Sequence, residues 1–354
     1  VCLRALGLSD ERFALSRKTW EFDVQHSFRP HRRHSITWGG NFRQTNVSID
    51  ATAVLDIDPP RNTLDVLGGF IQDQIDLWEG GRLTLGTKIE DNTFTGTNFQ
   101  PSARLAHRFN ERTTLWGSFS RAINTPAFGD LGVTFANVPT ASGPVNFVGD
   151  GSVDDTELLA YEIGLRHRFG DDLSAEITSY YNDYDGISTF SGKTTQFDPA
   201  TGTTVFLDNA ANAYSYGVEA AANLAINENI RSEANVTWQR LTQRAKTDHS
   251  VPSWKANLRT IAKLTPRITL VPTLHFVDDI KQSSVLSSST ALVEHDAYVR
   301  ADLAIHYKHA ASWPTISFVG QNLFDKRHTE YQEDIVRPLS EVTRWWFFRI
   351  EQEF

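Results

Sequence analysis

The sequence predicts an all-β fold: an antiparallel, membrane-spanning β-barrel sheet of about fifteen strands. Three observations carry this. Long segments alternate apolar and polar side chains, as strands with one lipid and one water face do. The links between them fall alternately into short and long classes, and tryptophans gather towards the segment ends.

In order, the strands are expected at about 17–28, 34–50, 63–77, 82–92, 99–108, 113–124, 156–169 and 172–186. They continue at about 212–226, 230–243, 252–264, 268–279, 294–307, 314–323 and 341–354. The alternation is clearest where Ile230, Ser232, Ala234, Val236 and Trp238 share one face and Arg231, Glu233, Asn235, Thr237 and Gln239 the other. Tyr161, Ile163, Leu165, His167 and Phe169 oppose Glu162, Gly164, Arg166 and Arg168 in the same way, whereas residues 64–77 are ragged. Short turns are expected near 29–33, 79–81, 109–112, 170–171, 227–229, 265–267 and 308–313. Longer links are expected at 51–62, 93–98, 125–155, 187–211, 244–251, 280–293 and 324–340. Tight periplasmic turns and long extracellular loops give this pattern, and it puts Phe354 on the periplasmic side.

Soluble β-sandwiches and propellers alternate too. Their strands average 5 or 6 residues, however, and many segments here exceed the roughly 9 to 11 residues that cross a bilayer at a tilt. Trp20, Trp254, Trp345 and Trp346 lie towards the long-link ends, and Trp78, Trp116 and Trp313 towards the short-turn ends, as two aromatic belts require. Aromatics make up 11% of the chain with nine Trp and 22 Phe, against only 40% hydrophobic residues, and mean hydropathy is −0.36. No apolar run reaches the length of a membrane helix.

The net charge of −9 and the lack of a basic stripe argue against a nucleic-acid partner. The basic cluster from His31 to His34 reads as a solvated turn. Cys2 is the sole cysteine, which leaves no disulfide framework and no CxxC metal spacing. There is no nucleotide loop, HExxH or GxSxG, so no catalytic residue, metal site or cofactor is expected. The run 150–155, DGSVDD, lacks the remaining ligands of a calcium loop and reads as a turn-rich surface link. With no Met and no signal segment, the chain is expected to be a processed or truncated piece.

Residues 341–354 end in Phe354, preceded on one face by Ile350, Phe348 and Trp346, and resemble the terminal strand that outer-membrane barrels present to the barrel assembly machinery. Residues 320–328, GQNLFDKRH, are similar to the "NLFDKxY" signature of TonB-dependent outer-membrane receptors, with His328 where Tyr is common. Ser120-Arg121-Ala122 with Thr125-Pro126 resembles that family's "SRAxRxP" strand end. Residues 157–165 (ELLAYEIGL), 180–187 and 216–219 resemble its "YEIGL", "YYNxYxxI" and "GVE" strands, and together these cover about residues 100–354. The resemblance implies the last fifteen or so of twenty-two strands, with the plug domain and TonB-contacting box absent, so that TonB is reached only through the missing N-terminal plug.

The resemblance further implies TonB-dependent uptake of a ferric siderophore or similar scarce nutrient, held by extracellular loops and the upper lumen, in a chain that is not an enzyme. A passive porin shares the barrel signals without requiring these motifs, and a soluble β-rich binding module is a third reading. The link 125–155 is the best ligand-contacting candidate, through Phe128 and Phe135. Arg121, Arg337 and Arg344 lie near extracellular ends, where they either attract an anionic ferric chelate or pair with lumen carboxylates such as Glu341 or Asp183. Tyr184 and Tyr214 either contact ligand or pack at the rim.

Overall fold

A computed structural model of the protein describes residues 14–50, 55–140, 143–149, 151–190, 195–198, 202–243, 246–283, 292–330 and 341–352. Fifteen strands form its wall: β1 (Ala14–His31), β2 (His34–Asp50), β3 (Arg61–Trp78), β4 (Gly81–Asn92), β5 (Gly96–Asn110), β6 (Thr113–Asn124), β7 (Thr156–Phe169) and β8 (Leu173–Thr189). They continue as β9 (Asp208–Asn227), β10 (Ile230–Gln243), β11 (Trp254–Thr265), β12 (Ile268–Val277), β13 (Tyr298–Lys308), β14 (Thr315–Gln321) and β15 (Trp345–Glu351). Each pairs antiparallel with its sequence neighbours, giving one up-and-down sheet. Among the described residues no ladder joins β1 to β15. Among them no helix is long and apolar enough to cross a membrane.

The turns at one end are tight because side chains close them. Asn227 Oδ1 accepts from the amides of Asn229 and Ile230, both at 2.9 Å, and Asn110 Oδ1 accepts from the amide of Arg112 at 2.9 Å. Gly170 takes a φ of +67°, which a side chain would disfavour. At the other end the expected link 93–98 shrinks to residues 93–95, since Asn92 Oδ1 accepts from the amides of Phe94 and Thr95 at 2.9 Å. That one link departs from the short-long alternation.

Register sorts the faces. Leu165, Ile177, Ala220, Val236, Ala256, Phe276 and Val299 are cross-strand partners in one continuous row. This apolar face is the outward one; the opposite face, with pairs such as Arg166 and Glu176 at 2.7 Å, lines the lumen. Outward aromatics form a chain from Phe119 through Tyr161, Tyr181, Tyr214, Tyr216 and Trp238 to Trp254, with centroids 5.2 to 6.5 Å apart. Near the short turns Trp78 donates to His107 at 3.0 Å and His309 packs on Trp313 at 4.9 Å.

Two tryptophans expected in the belts face the lumen instead. Trp116 lies over Gly164, where a Cβ would collide with its ring, and donates to Glu176 Oε1 at 3.3 Å while Arg104 sits 5.0 Å above the ring. Trp345 stacks on Phe347, and only its neighbour Trp346 reaches the outward face, against Phe318. Strand alternation sends consecutive residues to opposite faces, so Trp345 and Trp346 cannot share a belt.

Three of the longer links are themselves structured. Residues Leu55–Ile57, Val133–Thr140, Gly143–Val148, Gly202–Phe206 and Thr195–Asp198 form, in that spatial order, a five-stranded sheet drawn from three long links. A short helix, α1 (Phe128–Gly132), precedes its second strand. This cap holds much of the buried hydrophobic core: Ile57, Val133, Val138, Phe147, Val153 and Leu207 are all buried.

Candidate functional site

The cap leans over the lumen. Ile57 and Val133 pack with Val47 and Ile49, which end the lumen face of β2, and Leu55, Leu64, Phe128 and Phe135 close around them. β2 changes character along one face, from Arg43 and Thr45 to Val47 and Ile49, and the last two seat the cap. A pocket of about 810 Å³ opens beneath it. Arg17, Thr19, Glu21, Arg43 and Thr45 form its wall, and Phe94, Pro126 and Phe128 line its rim.

Glu21 lies opposite Arg43 in the β1–β2 ladder, yet among the described residues neither Arg17 nor Arg43 forms an ion pair. Two available guanidiniums beside aromatic rims suit an anionic ligand with flat or apolar parts. Neither arginine was singled out by sequence, because a lone Arg on the polar face of a strand carries no local signal.

The candidate residues scatter. Phe128 is part of the pocket and of the cap core, while Phe135 pairs with Leu55 inside the cap sheet and packs on that core. Tyr184 shares the lumen face with Tyr180, opposite Ala213. Tyr214 stands in the outward aromatic row between Tyr181 and Tyr216, which removes it from the lumen. Arg121 shares the face of Phe119 and is bound to Glu157 Oε2 at 2.6 Å and to the Phe99 carbonyl, so neither Glu341 nor Asp183 is its partner. Glu341 pairs instead with Arg327 at 3.1 Å. Arg344 Nε donates to the carbonyl of Asn322 at 3.3 Å, and Arg337 lies outside the described residues.

The segment 320–328 works as a clamp. Asn322 is fully buried with φ +54°; its amide donates to Asp302 Oδ1 at 3.0 Å and its Nδ2 to the Val342 carbonyl at 3.2 Å. The Leu323 amide donates to the Ala301 carbonyl and the Arg344 amide to the Lys326 carbonyl, tying β13 to the approach of β15. His328 stacks on Tyr298 at 4.2 Å, with Nε2 3.1 Å from Glu330. Of the run 150–155, Asp155 accepts a hydrogen bond from Asn98, and Asn209 Nδ2 donates to the Asp154 carbonyl at 2.9 Å. The hairpin of Ile280–Ser283 with Leu292–His295, at the long-link end, carries Lys281 2.7 Å from Glu294 Oε1, whose hydrogen bond raises the lysine pKa above 10.5.

Comparison with known proteins gives one pattern. The family model described as TonB dependent receptor-like, beta-barrel matches residues 5–323. The iron-regulated outer membrane virulence protein of Vibrio cholerae is 24% identical over 182 residues, 50% of this chain and 28% of that protein. The ferric enterobactin receptor PirA of Pseudomonas aeruginosa is 22% identical over 241 residues, 62% of this chain and 32% of that protein. The chain thus spans a third or less of the length of these curated relatives. A crystal structure of a mutant ferric enterobactin receptor PfeA from P. aeruginosa superposes with a TM-score of 0.75 at 17% identity, covering 95% of this chain and 53% of that one. The siderophore receptor PirA from Acinetobacter baumannii gives 0.70 at 16% identity, with 89% and 51% covered. At these identities the structural likeness speaks for the fold.

Proposed function

Since the chain belongs to the TonB dependent receptor-like, beta-barrel family of the bacterial outer membrane, we propose that it forms part of a receptor that takes up a ferric siderophore or similar scarce nutrient with energy from TonB. The observation that carries this reading is the cap: three links fold together over a lumen pocket that offers Arg17 and Arg43 without ion-pair partners among the described residues. A passive pore gains nothing from such a roof. In this reading Arg17, Arg43, Phe128 and Tyr184 touch ligand, Phe135 holds the cap, and Arg121, Arg344 and Tyr214 are structural. The chain has no catalytic role.

We propose in addition that the fifteen strands are the carboxy-terminal part of a larger barrel preceded by a plug through which TonB acts. The edges of β1 and β15, unpaired among the described residues, support this, because in lipid each unsatisfied backbone group costs several kcal/mol. The terminal Phe354, outside the described residues, is the proposed contact for barrel assembly.

The test is uptake of radiolabelled iron from a panel of ferric chelates by iron-starved cells expressing the whole gene product, with TonB intact or deleted. Saturable uptake that disappears without TonB is expected. Uptake that persists without TonB, together with passage of small sugars into proteoliposomes, would replace this reading with a passive channel.

A further inference from the structure

The most basic stretch of the chain is the β1–β2 hairpin at the short-turn end: Arg29, Pro30, His31, Arg32, Arg33 and His34, in a chain whose net charge is −9. His31 faces His34 in the ladder, so Arg32 and Arg33 form the two-residue tip. Two-residue hairpin turns favour Asn, Asp and Gly because they call for positive φ. Here neither tip residue has positive φ, and both arginines are exposed. A turn that spends its apex on two guanidiniums is not optimised for turning.

Their surroundings leave them free. Two carboxylates of the adjoining strand are already engaged: Asp73 Oδ2 by His34 Nδ1 at 2.6 Å, and Asp76 Oδ1 by Arg82 Nε at 2.9 Å. The turn contacts that strand through backbone, the Asp76 amide donating to the Arg33 carbonyl at 2.8 Å. Glu79 belongs to the next turn along the rim. Among the described residues Arg29, Arg32 and Arg33 form no ion pair.

The outward aromatics fix where this charge sits. Phe28 and Trp38 are 41% and 45% exposed on the outward face, with His26 stacked on Phe28 at 5.6 Å and edge-on to Trp38 at 6.1 Å. Rings of this kind settle at the headgroup level. The ladder register shifts between Phe28 and His31, so strict alternation lapses at Arg29, and long arginine side chains next to an interface reach for headgroups. We propose that Arg29, Arg32 and Arg33 form a docking site for the phosphodiester headgroup of an anionic phospholipid, of the phosphatidylglycerol type, in the periplasmic leaflet. The site anchors the short-turn rim independently of what the lumen binds. Each basic side chain at an anionic surface contributes about fivefold in affinity.

The test is native mass spectrometry of the whole gene product in detergent, titrated with phosphatidylglycerol or phosphatidylcholine. Three proteins are compared: wild type, R29Q/R32Q/R33Q, and K18Q/R61Q/K281Q, which loses the same charge at the opposite rim. Wild type and the opposite-rim variant are expected to hold phosphatidylglycerol on the order of a hundredfold more tightly than phosphatidylcholine, and the turn variant to lose that preference. Rising salt should erode the wild-type preference, a readout that needs no variant. Equal preference in all three proteins, or equal loss in both variants, overturns the assignment. So does displacement of the lipid by soluble glycerol phosphate, which would mark a free-anion site, or selective retention of peptidoglycan fragments in place of lipid.

Discussion

The wall and the cap use the same two-residue period for opposite ends. In the wall, one face meets lipid and the other a wet lumen, so exposed Ile163 and Phe348 are normal and few side chains are buried. What holds the wall is its continuous backbone ladder, which lipid makes obligatory. The cap, drawn from three links, buries Ile57, Val133, Phe147 and Leu207 as a small soluble sheet does. Backbone pairing therefore dominates one region and side-chain burial the other, and they should fail differently under substitution.

The sharpest break lies where the wall borrows the cap's strategy. Asn322 is fully buried, holds φ +54° and bonds to Asp302 and Val342. Asn322→Leu removes the Val342 bond and forces a branched residue into left-handed backbone, at a cost of about 3 to 4 kcal/mol. Urea unfolding in detergent, followed by tryptophan fluorescence, checks this. Asn322→Gly, which tolerates the backbone, should lose less than half as much. Equal loss in both would mean that backbone conformation is irrelevant there.

A smaller effect separates the regions directly. Ile57→Ala in the cap core should cost about 2 kcal/mol of local stability, appearing as faster proteolytic cleavage of the links while heat-modifiable gel migration of the barrel stays unchanged. Ile163→Ala on the outward wall, 57% exposed, should cost less than about 1 kcal/mol, because lipid tails fill the space. If Ile163→Ala proved the more damaging, the wall would depend on side-chain burial after all.

The same contrast explains what could be read in the sequence. Wall strands came within a few residues of their observed bounds, as with Ile230–Gln243 and Thr156–Phe169, because alternation and turn residues are local signals. The cap was invisible because its strands come from links some 80 residues apart, as Leu55 beside Phe135 shows, and no local period encodes that pairing. Register also decided what proximity to a strand end could not: Arg121 meets Glu157, and Tyr214 turns towards lipid. The segment 320–328 was recognisable by its residues, but its clamping role needed the geometry of Asp302, twenty positions earlier.

The weakest expected effect sits on the exposed hairpin that carries Lys281. Glu294 raises the lysine pKa above 10.5 through a 2.7 Å hydrogen bond and its charge. A raised folded pKa means the contribution is fully present below the unfolded value and is lost as pH rises through the folded one. Wild type and K281Q should therefore differ by a constant amount from neutral pH to about pH 10 and converge only above it. The difference should be slight throughout, because both side chains are open to solvent and salt. Scanning calorimetry of both proteins at about pH 8 and pH 11 makes the comparison, with other titrating groups cancelling between them. A gap that widened at the higher pH would have the wrong sign for an ion pair, and a large gap at neutral pH would mean that this hairpin is held like the cap core.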